Sequence, residues 1–145
     1  MADIPHITFV DEIKGQFKGI VRGTASIEII EGWHGLVKDM LVEINQCPSA
    51  DKNIEIVQIK QKFAELRVYT HKKVSSDIDD IMEKYKAKAL YTCEFCGETG
   101  KEIPIGSWFC VACVRAFQYR VSCFSSLFVN YSSHIFKLLS ASTFC

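Results

Sequence analysis

Apolar positions recur along this chain with two different periods. Between 32 and 46, Trp33, Leu36, Val37, Met40, Leu41 and Ile44 fall three and four residues apart, with Lys38, Asp39 and Glu43 on the opposite side. That is the stripe of an amphipathic helix facing a core. Cys47-Pro48 closes it, because proline disfavours helical backbone in the residue before it. A second helix is predicted over 75–90, with Ile78, Ile81, Met82, Tyr85 and Ala89 as its apolar stripe. Ser76 with Asp79 three residues on resembles a capping box. Asp77, Asp79 and Asp80 at one end and Lys84, Lys86 and Lys88 at the other match the helix dipole.

Between the two helices the pattern turns to β. Ile54, Ile56, Val57 and Ile59 fill one strand and Leu66, Val68 and Tyr69 a second, predicting a hairpin over 54–70. Its connection, Lys60-Gln-Lys-Phe-Ala64, has neither glycine nor Asn-Gly, so a longer or bulged turn is expected. Residues 7–30 are less regular. Ile7-Thr-Phe-Val10 and Ser26-Ile-Glu-Ile-Ile30 are short and β-branched, and Gly15, Gly19 and Gly23 would each weaken a helix, by about 1 kcal/mol per glycine. Irregular or strand structure is expected there. The four-residue glycine spacing fits neither the dinucleotide nor the P-loop fingerprint. Past 121, Phe124, Leu127, Phe128, Tyr131, Ile135, Leu138 and Leu139 keep helical spacing among seven serines, which predicts a helical or poorly defined tail.

Candidate chemistry sits between the second helix and that tail. Cys93-Glu-Phe-Cys96 and Cys110-Val-Ala-Cys113 are two Cys-x-x-Cys pairs thirteen residues apart, the spacing of a four-thiolate zinc site. A redox dithiol or a disulfide pair is the competing reading of the same residues. Four cysteines fill a tetrahedral shell and leave no position for water, which points to a structural ion rather than a catalytic one. Gly97 suits the positive φ of a knuckle turn. The stretch Thr99–Gly106 has room for a small hairpin, and residues 114–121 carry helix formers with no proline or glycine. Knuckle, hairpin and helix follow one another in treble-clef order, whereas a zinc ribbon would end in a strand. The expected fold is α+β: a small antiparallel sheet, two amphipathic helices, and a treble-clef or zinc-ribbon module before the tail. The expected segments are 1–92, 93–120 and 121–145.

Seventeen basic and seventeen acidic residues cancel, so no global field draws the chain to nucleic acid or a membrane. Charge is uneven, however: residues 1–53 carry five basic and eight acidic groups, and residues 54–92 eight and six. Lys60, Lys62, Arg67, Lys72 and Lys73, with His71, surround Phe63 and Tyr69. Basic residues interleaved with aromatics compose a nucleic-acid surface, and equally an ordinary solvated hairpin face. His34 has no nucleophile pattern near it and reads as a surface residue, and no nucleophile–base set points to an enzyme. The first residues lack the basic and apolar regions of a signal peptide, and no apolar run is long enough to span a bilayer. Seven cysteines in such a chain fit a reducing compartment, so a cytoplasmic protein without a membrane partner is expected. The expected function is a non-enzymatic, zinc-stapled protein that binds another protein, with nucleic acid as the alternative partner and the tail as a means of self-association.

Three motifs occur together: Gly32-Trp-His-Gly-Leu-Val, the run Ile56–Tyr69 containing Lys-Phe-Ala-Glu-Leu-Arg-Val-Tyr, and Cys93-Glu-Phe-Cys-Gly97 followed by Gly106-Ser-Trp-Phe-Cys110. The combination resembles a group of small uncharacterised bacterial and phage proteins over residues 32–115. It departs from their pattern at Ala64, where the pattern has glycine. The resemblance implies a fold more than a function. A phage or mobile-element origin would imply an inhibitor of a host defence complex, of the anti-CRISPR kind, with a host nucleoprotein complex as its partner.

Overall fold

The computed structural model describes residues 5–48, 54–105 and 107–117. The chain divides into two compact units, Met1–Cys113 and Val114–Cys145. In the second unit the described residues, 114–117, are helical. The predicted tail over 121–145 lies outside the described residues.

The first element overturns an expectation. Residues 7–10 are not a strand but part of helix α1, Pro5–Gln16. Phe9, Ile13 and Phe17, four apart, are buried together, and proline is tolerated in a helix's first turn because its missing N–H would have no partner there. Of the three glycines counted against a helix, only Gly15 lies inside it. A single glycine costs less than this buried stripe gains.

Strand β1, Val21–Glu28, runs parallel to β2, Ile56–Lys62, and β2 runs antiparallel to β3, Glu65–Thr70. The sheet is therefore mixed rather than antiparallel. Parallel neighbours need a crossover, and a 3-10 turn, Glu31–Trp33, followed by α2, His34–Gln46, supplies it. Trp33, Val37, Met40, Leu41 and Ile44 are fully buried and join Ile56, Ile59 and Leu66 in one core. Leu36 packs only partly against it. Helix α3, Ser76–Ala89, adds Ile78, Tyr85 and Ala89. Its N-cap residue is Ser75, and no side chain caps it, so the capping box expected from Ser76 and Asp79 is not formed. Glu43 on α2 ties the two helices by accepting bonds from Lys84 and, at 3.1 Å, from the Tyr85 hydroxyl.

The β2–β3 connection is shorter than expected. Phe63 and Ala64 alone make the turn, with φ of 54° and 62°. Two consecutive positive φ values are the mirror-image turn that matches strand twist, and glycine or asparagine normally occupies it. Cross-strand partners Gln58–Tyr69, Lys60–Arg67 and Lys62–Glu65 share one face of the ladder, and Ile59–Val68 and Gln61–Leu66 the other. A separate antiparallel hairpin, β4 Lys101–Ile105 and β5 Trp108–Ala112, follows the first Cys pair; it reaches beyond the expected 99–106 stretch, and its second strand carries Cys110. No helix among the described residues is long and apolar enough to cross a membrane.

Candidate metal centre

The knuckle is built from backbone before any sulfur is placed. Gly97 N–H donates to the Cys93 carbonyl at 3.0 Å and Cys93 N–H to the Glu98 carbonyl at 2.7 Å. These bonds close a tight loop over residues 93–98, and Gly97 takes φ of 79°, as the sequence suggested. The loop brings the Cys93 and Cys96 sulfurs together, and the end of the β4–β5 hairpin adds Cys113. The three Sγ atoms all lie within 4.8 Å of one another, and Cys96 and Cys113 are 3.5 Å apart. Metal–sulfur bonds of about 2.3 Å in a tetrahedron set their sulfurs roughly 3.8 Å apart. The spacing suits a thiophilic ion. Cys93 is buried, Cys113 half-buried and Cys96 exposed.

Cys110, the fourth predicted ligand, is buried on β5 opposite Ile103 and is not a member of that close group. It stands three residues before Cys113. Without a metal, the backbone hydrogen bond with Glu98 draws the Cys96 pKa down. Burial and the neighbouring Cys113 and Cys93 thiols outweigh that bond and push it to about 11. A cation at the centre reverses this, since a coordinating thiol is deprotonated outright.

What holds the knuckle in place is the part sequence reasoning missed. Gly32 N–H donates to the Glu94 carbonyl at 2.8 Å, and the Trp33 indole N–H to the Thr92 carbonyl at 2.7 Å. The Gly-Trp pair at the entrance to α2 is thus the seat on which the knuckle rests. Glu94, inside the Cys-x-x-Cys loop, is fully buried. Its Oε1 accepts the Val111 N–H at 2.7 Å and the Gln61 side-chain amide at 3.3 Å, and that amide also reaches the Phe109 carbonyl at 2.8 Å. Burial raises the Glu94 carboxyl's pKa, and the two hydrogen bonds oppose the rise. One carboxylate therefore links the knuckle to the second hairpin and to β2. An acid between two predicted ligands was the available signal.

The basic–aromatic residues lie elsewhere. Lys60, Lys62, Arg67 and Tyr69 share the ladder's polar face. Lys60 Nζ sits 5.2 Å from the Tyr69 ring centre, and Lys62 Nζ 5.5 Å from that of Phe63. Phe63 is 51% exposed at the turn. Arg67 pairs with Glu65 at 2.9 Å. Lys72 and Lys73 follow β3 and are exposed. His34, expected at the surface, is half-buried and stacked on Phe9, with ring centres 3.8 Å apart.

Comparison with protein families, curated proteins and solved structures finds no match to this chain.

Proposed function

We propose that this chain is a non-enzymatic binding protein whose C-terminal hairpin is stapled to the α+β core by a structural zinc ion. The observation that carries the reading is the convergence of Cys93, Cys96 and Cys113 within tetrahedral reach of one another. Zinc is the ion of choice for a thiolate-rich tetrahedral site that performs no redox chemistry. Cys110, one Cys-x-x-Cys step before Cys113, would complete the shell. That set leaves no coordination position for a water or substrate. The buried carboxylate beside it, Glu94, already accepts two hydrogen bonds and serves as a brace. Knuckle, hairpin and the helical residues after Cys113 follow one another in treble-clef order.

Cobalt substitution tests the coordination. Four thiolates give the visible and charge-transfer bands of tetrahedral cobalt, and Cys110→Ser should weaken the charge-transfer band while Cys47→Ser leaves it unchanged. An octahedral cobalt spectrum would end the reading.

On this reading the recognition surface is the polar face of the β2–β3 hairpin, where exposed aromatics and cations gather away from the metal. A protein partner, and the inhibitor role that the resemblance implies, would use the same surface.

A further inference from the structure

A cavity of about 280 Å³ opens between β3 and α3. Glu65, Arg67 and Tyr69 line it from the strand, and Asp79, Glu83 and Lys86 from the helix. Arg67 holds Glu65 through Nη2 at 2.9 Å, but its Nε–H is shielded from solvent and has no acceptor among the described residues. A shielded, unmatched donor costs free energy unless something supplies an acceptor. This size is at the lower end for ligand pockets and suits one small ring system.

The charges select the ligand. Three carboxylates and two cations line the cavity, so a phosphate or carboxylate placed inside would meet net repulsion. A neutral planar ligand carrying both donors and acceptors meets none. Just outside, the balance is reversed. Lys60 pairs across the ladder with Arg67, and Lys62 with Glu65, so both lysines stand one strand away from the lining on the same face. Lys60 already sits over the Tyr69 ring, which is 38% exposed and lines the cavity. Glu28, held by Ser26 and Gln58, bounds this strip on the β1 side. An aromatic at a pocket that repels anions, with cations alongside, is the arrangement that stacks a base and follows its backbone.

We infer that the cavity between β3 and α3 receives one unpaired nucleobase of a single-stranded nucleic acid, with flanking phosphates on Lys60 and Lys62. The inference rests on the binding-protein reading and names the class of partner. Tyr69 stacks on the base, Arg67 Nε–H donates to a ring nitrogen or carbonyl, and the carboxylates of Asp79 and Glu83 accept from an exocyclic amine. Adenine and cytosine carry such an amine, whereas thymine and uracil do not. The site therefore prefers amine-bearing bases.

Fluorescence anisotropy with the full, zinc-loaded chain tests this, using labelled twelve-residue oligo-dA, oligo-dC and oligo-dT and the dA·dT duplex. Oligo-dA and oligo-dC should bind at least about threefold more tightly than oligo-dT, and the duplex more weakly than any single strand. Tyr69→Ala should weaken oligo-dA about tenfold, in keeping with the loss of one base stack. Arg67→Lys keeps the charge but removes the Nε donor, so it should weaken every strand, oligo-dT included, because thymine also offers carbonyl acceptors. Asp79→Ala with Glu83→Ala removes the acceptors for the exocyclic amine and should abolish the preference over oligo-dT. Lys60→Gln with Lys62→Gln should flatten the salt dependence between about 50 and 200 mM. Equal affinity for all strands with no response to Arg67→Lys overturns the inference, as does duplex binding as tight as single-strand binding. Absence of oligonucleotide binding by chain that holds zinc and melts normally also overturns it, and polyglutamate binding in its place assigns the surface to an acidic protein partner. Zinc content is read on the same samples, so loss of the metal reading is distinguishable from loss of this one.

Discussion

The Cβ position of Gly32 lies 2.3 Å from the carbonyl oxygen of Cys93 and 2.6 Å from that of Glu94. No side chain fits there, because the atoms in the way are backbone. The knuckle and the entrance to α2 thus touch main chain to main chain, bonded through Gly32 N–H and the Glu94 carbonyl. Gly32→Ala must push the knuckle off its seat. It should destabilise the protein by about 3 kcal/mol, the upper range for overpacking, and weaken metal retention. Gly35→Ala, inside α2 with open space around its Cβ, should leave metal retention unchanged. It should leave stability unchanged or raise it by up to about 1 kcal/mol, the cost of a helical glycine. Denaturant melts and metal content of the two variants check this.

The Phe63-Ala64 turn holds two ordinary residues in left-handed backbone. Each carries a penalty of roughly 1 kcal/mol or more. Replacing the pair with Asn-Gly removes that strain and forfeits the buried Ala64 methyl, about 0.8 kcal/mol. The exchange should raise stability by about 1 kcal/mol, visible as a higher urea midpoint with an unchanged m-value. A lower midpoint would show that the turn is not strained.

Tyr85 should ionise well above the usual tyrosine range. Burial first, then the hydrogen bond to Glu43 and the charges of Glu43 and Asp39, push its hydroxyl from 10 to about 12. The folded state therefore holds a proton that the unfolded chain releases sooner. The stability tied to neutral Tyr85 is complete below pH 10 and is lost as pH rises from 10 to about 12. An ultraviolet titration should show a late tyrosine step near pH 12, and Tyr85→Phe should remove it.

Helical periodicity was strong enough to reveal α2 and α3, and the cysteine spacing revealed where thiolates would meet. Both are local signals, legible from neighbouring residues. The parallel pairing of β1 and β2 was not legible, because it joins residues some thirty apart through a crossover, as in Ile27 opposite Ile59. Helix α1 is masked in the sequence by the Gly15, Gly19 and Gly23 spacing, although the helix ends at Gln16 and holds only the first of them. The Phe63-Ala64 turn was missed because its residues lack the usual chemistry for positive φ. The Gly32-Trp33 seat and the bonds of the Glu94 carboxylate were not legible for a third reason: they join segments distant in the chain, the seat to the knuckle and Glu94 to Val111 and Gln61.

The proposed zinc ion is what would tie the knuckle to the second hairpin. Zinc content by mass spectrometry, read with thermal melts of the same sample before and after chelation, tests it most directly. Structural zinc contributes on the order of 10 kcal/mol in small modules. One zinc per chain is predicted, with a melting temperature that falls sharply on chelation, recovers on adding zinc, and is low from the start in Cys93→Ser and Cys113→Ser. A metal-free chain whose melt ignores the chelator and both substitutions would contradict the account.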